Sequence, residues 1–293
     1  MTKKKKRLLW ACIILSAIIL LTVAEFLYSN LHLTVSRYTV RSEKAEGAFR
    51  VVFLADLHGR EFGKDNGRLL KKIAAENPDV IALPGDIISQ TADDDEVERM
   101  CSFVREAAKI APVYYSLGNH EYNYMKANDT DLPELLRQCG ATVLINEFAE
   151  VEINGTPVRI GGNLGYYRQP FMTIDDPELR REELAFAEAF EDTELFKLLL
   201  DHIPTGWLDW HKKDREPVDL VLSGHYHGGN AMIPFTDRGL YAPYVGWFPP
   251  YAKGMFEGKT ATCILTTGLA GGKGVPRLFN PPEIVVVDIT GEE

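Results

Sequence analysis

Cysteine is scarce in this chain, with four in 293 residues, and the four make no pattern. Cys12 falls within an apolar run, while Cys101, Cys139 and Cys263 lie far apart in apolar surroundings. No pair has the close spacing of a thiolate metal site, and an odd set of three beyond Cys12 makes a poor disulfide framework, so these three read as free core thiols. Basic charge is also missing where a nucleic-acid binder would need it. Setting aside Lys3, Lys4, Lys5, Lys6 and Arg7 leaves 27 basic residues against 42 acidic ones. That balance excludes a nucleic-acid-binding surface and predicts weak repulsion from anionic lipid headgroups. Internal repeats are absent, and low complexity is confined to the lysine run.

Only one long apolar run is present. Leu8 to Ala24 is uncharged, follows the basic cluster Lys3 to Arg7, and is extended by Phe26 to Tyr28 past Glu25. It approaches the roughly 20 residues a spanning helix needs, and no polar face interrupts it. A cleaved signal peptide is the competing reading, but its apolar core is usually about 7–15 residues and ends in a small-x-small site. Thr22-Val23-Ala24 is a poor version of that site, which favours an uncleaved signal anchor. The basic cluster stays cytoplasmic, which places the rest of the chain outside a cell membrane as a single-pass protein. The chain then divides into a basic tail and transmembrane anchor over 1–28, a mixed polar stalk over 29–48, and one catalytic-sized domain over 49–293.

Within that domain, apolar strands alternate with amphipathic helices. Arg50 to Ala55 reads as a buried strand ending in Asp56-Leu57-His58, and a helix follows over Gly67 to Glu76. Asp79 to Leu83 is the next strand, ending in Gly85-Asp86. Asp93 to Glu96 open a helix with Val97, Cys101 and Val104 on its apolar stripe. Pro112 to Leu117 ends in Gly118-Asn119-His120-Glu121. A hairpin around Asn154-Gly155, a helix over Pro177 to Phe190, and a strand from Leu195 to Leu200 ending in Asp201-His202 come next. Leu220 to Leu222 runs into Ser223-Gly224-His225-Tyr226-His227-Gly228-Gly229. Final strands lie near Ala261 to Thr267 and Glu283 to Ile289. Short strand–helix connections of this kind indicate an α/β layer.

The polar residues after these strands form a set: Asp56, His58, Asp86, Asn119, His120, His202, His225 and His227. Each follows an apolar strand, so all can converge on one sheet edge, where ligands of open α/β sheets gather. Carboxylate, imidazole and amide oxygen donors together suit divalent Mn²⁺, Fe²⁺ or Zn²⁺. Asp86, alone after its strand, is the natural bridge between two such cations. Paired cations ~3.5–4 Å apart clamp the attacking and leaving oxygens of a phosphoryl displacement.

D-x-H, G-D, G-N-H-E, an isolated His and G-H-x-H, in that order from about Arg50 onward, resemble the signature of calcineurin-like metallophosphoesterases. The resemblance implies a two-sheet sandwich flanked by helices, here preceded by the transmembrane helix. It implies two divalent metal ions, one on Asp56, His58, Asp86 and His227, the other on Asp86, Asn119, His202 and His225. His120 would face the substrate beside the leaving oxygen. The anchor, together with the HGGN and RLFNPPEI stretches, resembles the exported or membrane-anchored bacterial branch. The activity implied is phosphodiester or pyrophosphate hydrolysis at the outer face of the cytoplasmic membrane, on a phosphorylated small-molecule or lipid-linked or nucleotide-linked substrate. A non-catalytic membrane-anchored metal-binding scaffold of the same fold is the alternative.

Some positions stay open at this level. Glu121 stands where many relatives carry Asp, and either orients His120 or is a solvated carboxylate. Asn230 stands where many carry Gln. The isolated histidine is His202, which ends an apolar strand, rather than His211 in a polar stretch. Arg60 either contacts phosphate or lies on the surface. Pro234 to Phe256, rich in aromatics, Pro and Gly, either lines the site, dips toward lipid, or packs as an ordinary loop.

Overall fold

A computed structural model describes residues 2–164, 177–208, 217–236, 238–243, 245–258, 261–272 and 276–292. The chain opens with α1 (Lys3–Leu31), an exposed helix long and apolar enough to cross a membrane. It continues through β1 (Thr34–Arg41), β2 (Phe49–Phe53), α2 (Gly67–Ala75), β3 (Val80–Pro84), α3 (Asp94–Ala108) and β4 (Val113–Ser116). Next come α4 (Asn119–Asn128), α5 (Leu132–Gln138), β5 (Ala141–Leu144), and the hairpin β6 (Glu147–Ile153) and β7 (Thr156–Gly162). The second half holds α6 (Pro177–Glu191), β8 (Phe196–Leu200), α7 (Thr205–Leu208) and β9 (Leu220–Ser223). Beyond these lie β10 (Tyr241–Ala242), β11 (Gly246–Trp247), β12 (Gly254–Glu257), β13 (Thr262–Leu265) and β14 (Glu283–Thr290).

The strands form two six-stranded sheets, ordered β1-β14-β2-β3-β4-β5 and β12-β13-β9-β8-β7-β6. Successive side chains on a strand point to opposite faces. On β2, Val51 and Phe53 therefore face the other sheet, where they join Ile160, Leu198, Leu220, Leu222 and Ile264. Val52 faces outward onto Leu69 and Ile73 of α2 and Phe103 and Val104 of α3. On the second sheet, Leu199, Val221 and Cys263 pack outward against Phe186 and Phe190 of α6. The result is the expected sandwich flanked by helices. Because both faces of the central strands are covered, they read as continuous apolar runs. Cys101, Cys139 and Cys263 are buried free thiols, as their settings predict.

The segment expected as a stalk differs. Thr34–Arg41 pairs in parallel with β14 along its whole length, from Thr34 opposite Glu283 to Arg41 opposite Thr290. As an edge strand it keeps one flank and much of one face in solvent, so its sequence mixes polar and apolar residues and hides the strand pattern. The folded domain thus begins directly after α1.

The topology positions the site. β2, β3 and β4 run parallel in the first sheet, and β7, β8, β9 and β13 run parallel in the second. The carboxyl ends of β2, β3, β4, β8 and β9 meet along one border of the sandwich.

Candidate metal centre

All eight expected residues lie at that border. Asp56 and His58 follow β2, Asp86 follows β3, Asn119 and His120 open α4, His202 follows β8, and His225 and His227 follow β9. Contacts cross between the sheets. The backbone N–H of His225 donates to both Asp56 carboxylate oxygens at 3.1 Å, and the His202 ring bonds the Pro84 carbonyl at 2.7 Å. Asp86 Oδ1 accepts the His120 backbone N–H at 2.8 Å. That leaves Oδ2 facing three imidazole Nε2 atoms, 3.0 Å from His202, 3.8 Å from His58 and 3.9 Å from His120. Asp56 Oδ1 is likewise 3.7 to 3.9 Å from Nε2 of His227, His202 and His58.

Among the described residues, three groupings have the spacing of a cation site: Asp56, His58 and His227; Asp86, His202 and His225; and His58, Asp86 and His120. Buried His58 Nε2 and Asn119 Oδ1 have no hydrogen-bond partner. Orphaned ligand-type atoms are costly unless something binds there, so the donor set fits divalent cations. Electrostatics agree. Burial holds the His58 and His225 imidazoles well below their ordinary range, which keeps them neutral and able to ligate. Burial would lower His202 too, but the carboxylates of Asp86 and Asp56 raise it to about 10. Burial would raise Asp86, yet His202, His58 and His120 hold its carboxyl well below the usual range.

Hydrogen bonds sort the histidines into two kinds. Nδ1 of His202 and Nδ1 of His227 each face a carbonyl, Pro84 at 2.7 Å and Ala270 at 3.0 Å. A carbonyl only accepts, so Nδ1 carries the proton and Nε2 can turn a lone pair to a cation. His120 is the reverse. Its Nδ1 accepts the Gln90 backbone N–H at 3.0 Å, so in the neutral ring the proton sits on Nε2. His120 therefore presents a donor to the cleft, where the others present acceptors.

The backbone bends sharply to achieve this. Asp56, His58, Asp86, His225 and His227 all have positive φ, between 45° and 71°. Non-glycine residues adopt that region at a cost that clusters at functional sites, and Asp and His tolerate it better than most. Gly118 is dictated by contact alone, since a Cβ there would lie 2.2 Å from Asp86 Oδ1. At Gly228 a Cβ would meet the Asn280 side chain at 2.5 Å.

Several supporting residues escaped the sequence reading. Glu121 neither orients His120 nor faces solvent. It is fully buried, accepts the backbone N–H groups of Asp86, Ile87, Ile88 and Gly118 at 2.7 to 3.3 Å, and accepts the Tyr115 hydroxyl at 2.7 Å. It clamps the turn that presents Asp86, and burial raises its pKa. Asn280 donates to the carbonyls of His227 and Asn230 at 2.7 and 3.0 Å, and buried Arg277 holds Asn280 in turn. Arg60, weighed as a phosphate contact or a surface residue, is neither. Its guanidinium donates to the carbonyls of Leu269 and Asn30, tying α1 to the domain. His211 lies outside the described residues.

A cleft of about 410 Å³ opens over the cluster, lined by His58, Asn119, His120, His225, His227 and, from the β10–β11 ribbon, Tyr241. That size suits a small-molecule or headgroup-sized ligand.

The comparisons agree with this geometry. The profile of the calcineurin-like phosphoesterase family matches residues 49–229, which takes in every one of the eight site residues. An uncharacterised metallophosphoesterase of Aquifex aeolicus is 28% identical over 288 residues, covering 90% of this chain and 96% of the relative. Another, from Campylobacter jejuni, is 27% identical over 250 residues, covering 83% of this chain but only 60% of the relative's length. Among solved structures, TT1561 of Thermus thermophilus aligns over 76% of this chain and 90% of its own, at 13% identity and a TM-score of 0.47. With the ordered strand-end motifs and the cation-spaced cluster all falling within the matched region, this chain belongs to the calcineurin-like phosphoesterase family and is a metal-dependent hydrolase.

Proposed function

We propose that the protein is a binuclear phosphoesterase, anchored by α1 with its domain at the outer face of the cytoplasmic membrane, and that it hydrolyses a phosphodiester or pyrophosphate. The observation that carries this reading is Asp86, whose single free oxygen lies 3.8 Å from His58 Nε2 and 3.0 Å from His202 Nε2, one histidine from each of the two ligand sets. One cation would be held by Asp56, His58, Asp86 and His227, the other by Asp86, Asn119, His202 and His225. Oxygen and imidazole donors without thiolate favour Mn²⁺, Fe²⁺ or Zn²⁺. Bound there, two such cations supply Lewis acidity and make water a nucleophile near neutral pH.

The chain's own residues do the rest. Pro84 and Ala270 fix Nδ1–H on the rings of His202 and His227, so Nε2 is the atom each would turn to a cation, and His202 would give up its Nε2 proton on binding. His120 stands apart from the ligands. With Nδ1 held by the Gln90 N–H, its Nε2–H is aimed at the cleft, ready to protonate a leaving oxygen or to hydrogen-bond a phosphoryl oxygen. The third grouping, with His120, is therefore not a metal site in this reading. Positive-inside bias of Lys3 to Arg7 supports the orientation, and α1 supports a single span.

The test is hydrolysis of bis-p-nitrophenyl phosphate by the purified full-length chain, with and without Mn²⁺, beside Asp86→Asn. Metal-dependent turnover is expected in the native chain, with loss of both metal and turnover in the folded variant. An Asp86→Asn protein that keeps two metals and near-normal turnover would overturn the bridging assignment.

A further inference from the structure

The end of α1 is not tethered loosely to the domain but built into its wall. Only His32 and Leu33 separate α1 from β1, and Leu33 is buried. The carbonyls of Asn30, Leu31 and Leu33 accept from Arg60, Arg68 and Lys72 of the domain. Ser29 Oγ accepts the Asn280 N–H at 3.0 Å, and Glu25 Oε1 accepts the Phe279 N–H at 2.9 Å and the Ser29 hydroxyl at 2.6 Å. Asn280 is the residue that holds the His227 carbonyl. The helix that reads as the bilayer span is thus two residues' contacts away from the cluster.

Length then sets the depth. A hydrocarbon core of about 30 Å takes roughly 20 helical residues, and the uncharged run from Leu8 to Ala24 falls short of that. Phe26 to Tyr28 extend the run to that length, and a span that includes them reaches the docked turns. Phe26, Leu27, Tyr28 and Leu31 there remain 43 to 59% exposed, and the Glu25 carboxylate is already satisfied by hydrogen bonds. Phe279, bonded to Glu25, sits at the same level and is exposed.

From Phe279 an aromatic wall leads to the cleft. The Met232 N–H bonds the Leu278 carbonyl at 2.9 Å, the Leu240 N–H bonds Ala231 at 2.7 Å, and the Phe248 N–H bonds Leu240 at 2.9 Å. Trp247 pairs with Tyr241, ring to ring at 5.5 Å, and Tyr241 lines the cleft. Trp247 and Phe248 are 68% and 55% exposed. Trp and Tyr favour the water–lipid interface, where one end of the ring stays wet.

We propose that this wall seats on the bilayer interface, so that the cleft opens at the lipid surface and its substrate is a phosphate ester carried by a membrane lipid. The proposal rests on α1 spanning a bilayer and on the phosphoesterase reading, and it narrows the substrate class of that site. Arg60, Arg68 and Lys72 gather basic charge at the helix exit of an otherwise acidic domain, which removes the local repulsion from anionic headgroups.

The experiment uses the full chain in phosphatidylcholine vesicles. Trp10 lies in the span, so emission is compared between Trp10→Phe and Trp10→Phe/Trp247→Phe, with and without bromine near the headgroup end of the lipid chains. The difference signal from Trp247 should be quenched by brominated lipid; equal emission with and without bromine overturns the seating. Activity is then read with Mn²⁺ on two probes: a p-nitrophenyl phosphodiester of dioleoylglycerol in the bilayer, and bis-p-nitrophenyl phosphate in solution. Trp247→Ser/Phe248→Ser should lower turnover of the bilayer probe by about tenfold, equivalent to about 1.4 kcal/mol, and leave the soluble probe unchanged. A native chain that cleaves only the soluble probe, or a variant that loses neither or both equally, overturns lipid delivery. If the native chain cleaves neither probe, the phosphoesterase reading itself fails, and the quenching still decides the seating. Release of the chain from vesicles by alkaline carbonate would sink the anchor and the proposal with it.

Discussion

Two neighbouring histidine-type positions illustrate what chemistry each residue is set up to do. His202 donates Nδ1–H to Pro84 and turns Nε2 to Asp86, whereas His120 accepts at Nδ1 from Gln90 and turns an N–H to the cleft. Replacing each with Ala should therefore fail differently. His120→Ala is expected to keep its metal and lose roughly 10²–10⁴ in turnover, the range for a missing acid–base group. The loss should be smaller with p-nitrophenolate as leaving group than with an alkoxide, which needs its proton. His202→Ala should lose metal from one site whatever the substrate. Metal analysis beside a leaving-group series reads both; a His120→Ala protein depleted of metal would make His120 a ligand and refute the tautomer argument. Glu121 acts one layer further out. Its carboxylate satisfies four backbone N–H groups around the Asp86 turn, and an amide in its place offers one oxygen where two are used. Glu121→Gln should fold but bind Mn²⁺ about 10–100-fold more weakly, as losses of such supports do. Calorimetric titration measures this, and unchanged affinity would show that the turn holds Asp86 without the clamp.

At the scale of elements, the strands deliver ligands because their carboxyl ends share a border, and close packing between turns does the final placement. The β3 and β4 ends touch where Gly85 and Gly118 meet, with no room for a side chain at either. Gly118→Ala needs no unusual φ, so its effect should come from contact alone. The added methyl would push on Asp86 Oδ1 and its backbone N. We expect loss of metal with the fold retained and a destabilisation of about 1–3 kcal/mol, typical of overpacking. Metal content and thermal denaturation of the same sample test it, and two retained metals would show that the Asp86 turn can yield. The ordered motifs were legible because each sits directly after an apolar run, a pattern written in consecutive residues. β1 was not legible: Thr34–Arg41 owes its strand state to a partner at the far end of the chain, β14, and its own pattern is that of a half-solvated edge.

For the whole molecule, the basic tail, the apolar helix α1 and the acidic domain predict a direction across a membrane. A tag after Glu293 should be cleaved by protease added to intact spheroplasts, and a tag before Lys3 should be protected. The opposite pattern would move the domain to the cytoplasm and remove the positive-inside argument. The sequence by itself determined the α/β class, the long apolar run and the eight residues at the strand ends, because side-chain periodicity and the residue types at the end of an apolar run are local properties. Tertiary structure alone decided what those residues can do. Asp56 meets the His225 backbone across 169 positions of chain, and His202 meets Pro84 across 118. It also decided that Glu121 is a clamp, that Arg60 belongs to α1 rather than to phosphate, and that the end of α1 is hydrogen-bonded to the residues behind the cleft. Those assignments depend on where hydrogen-bond donors point and which distant carbonyl or carboxylate receives them, and no local pattern encodes that direction.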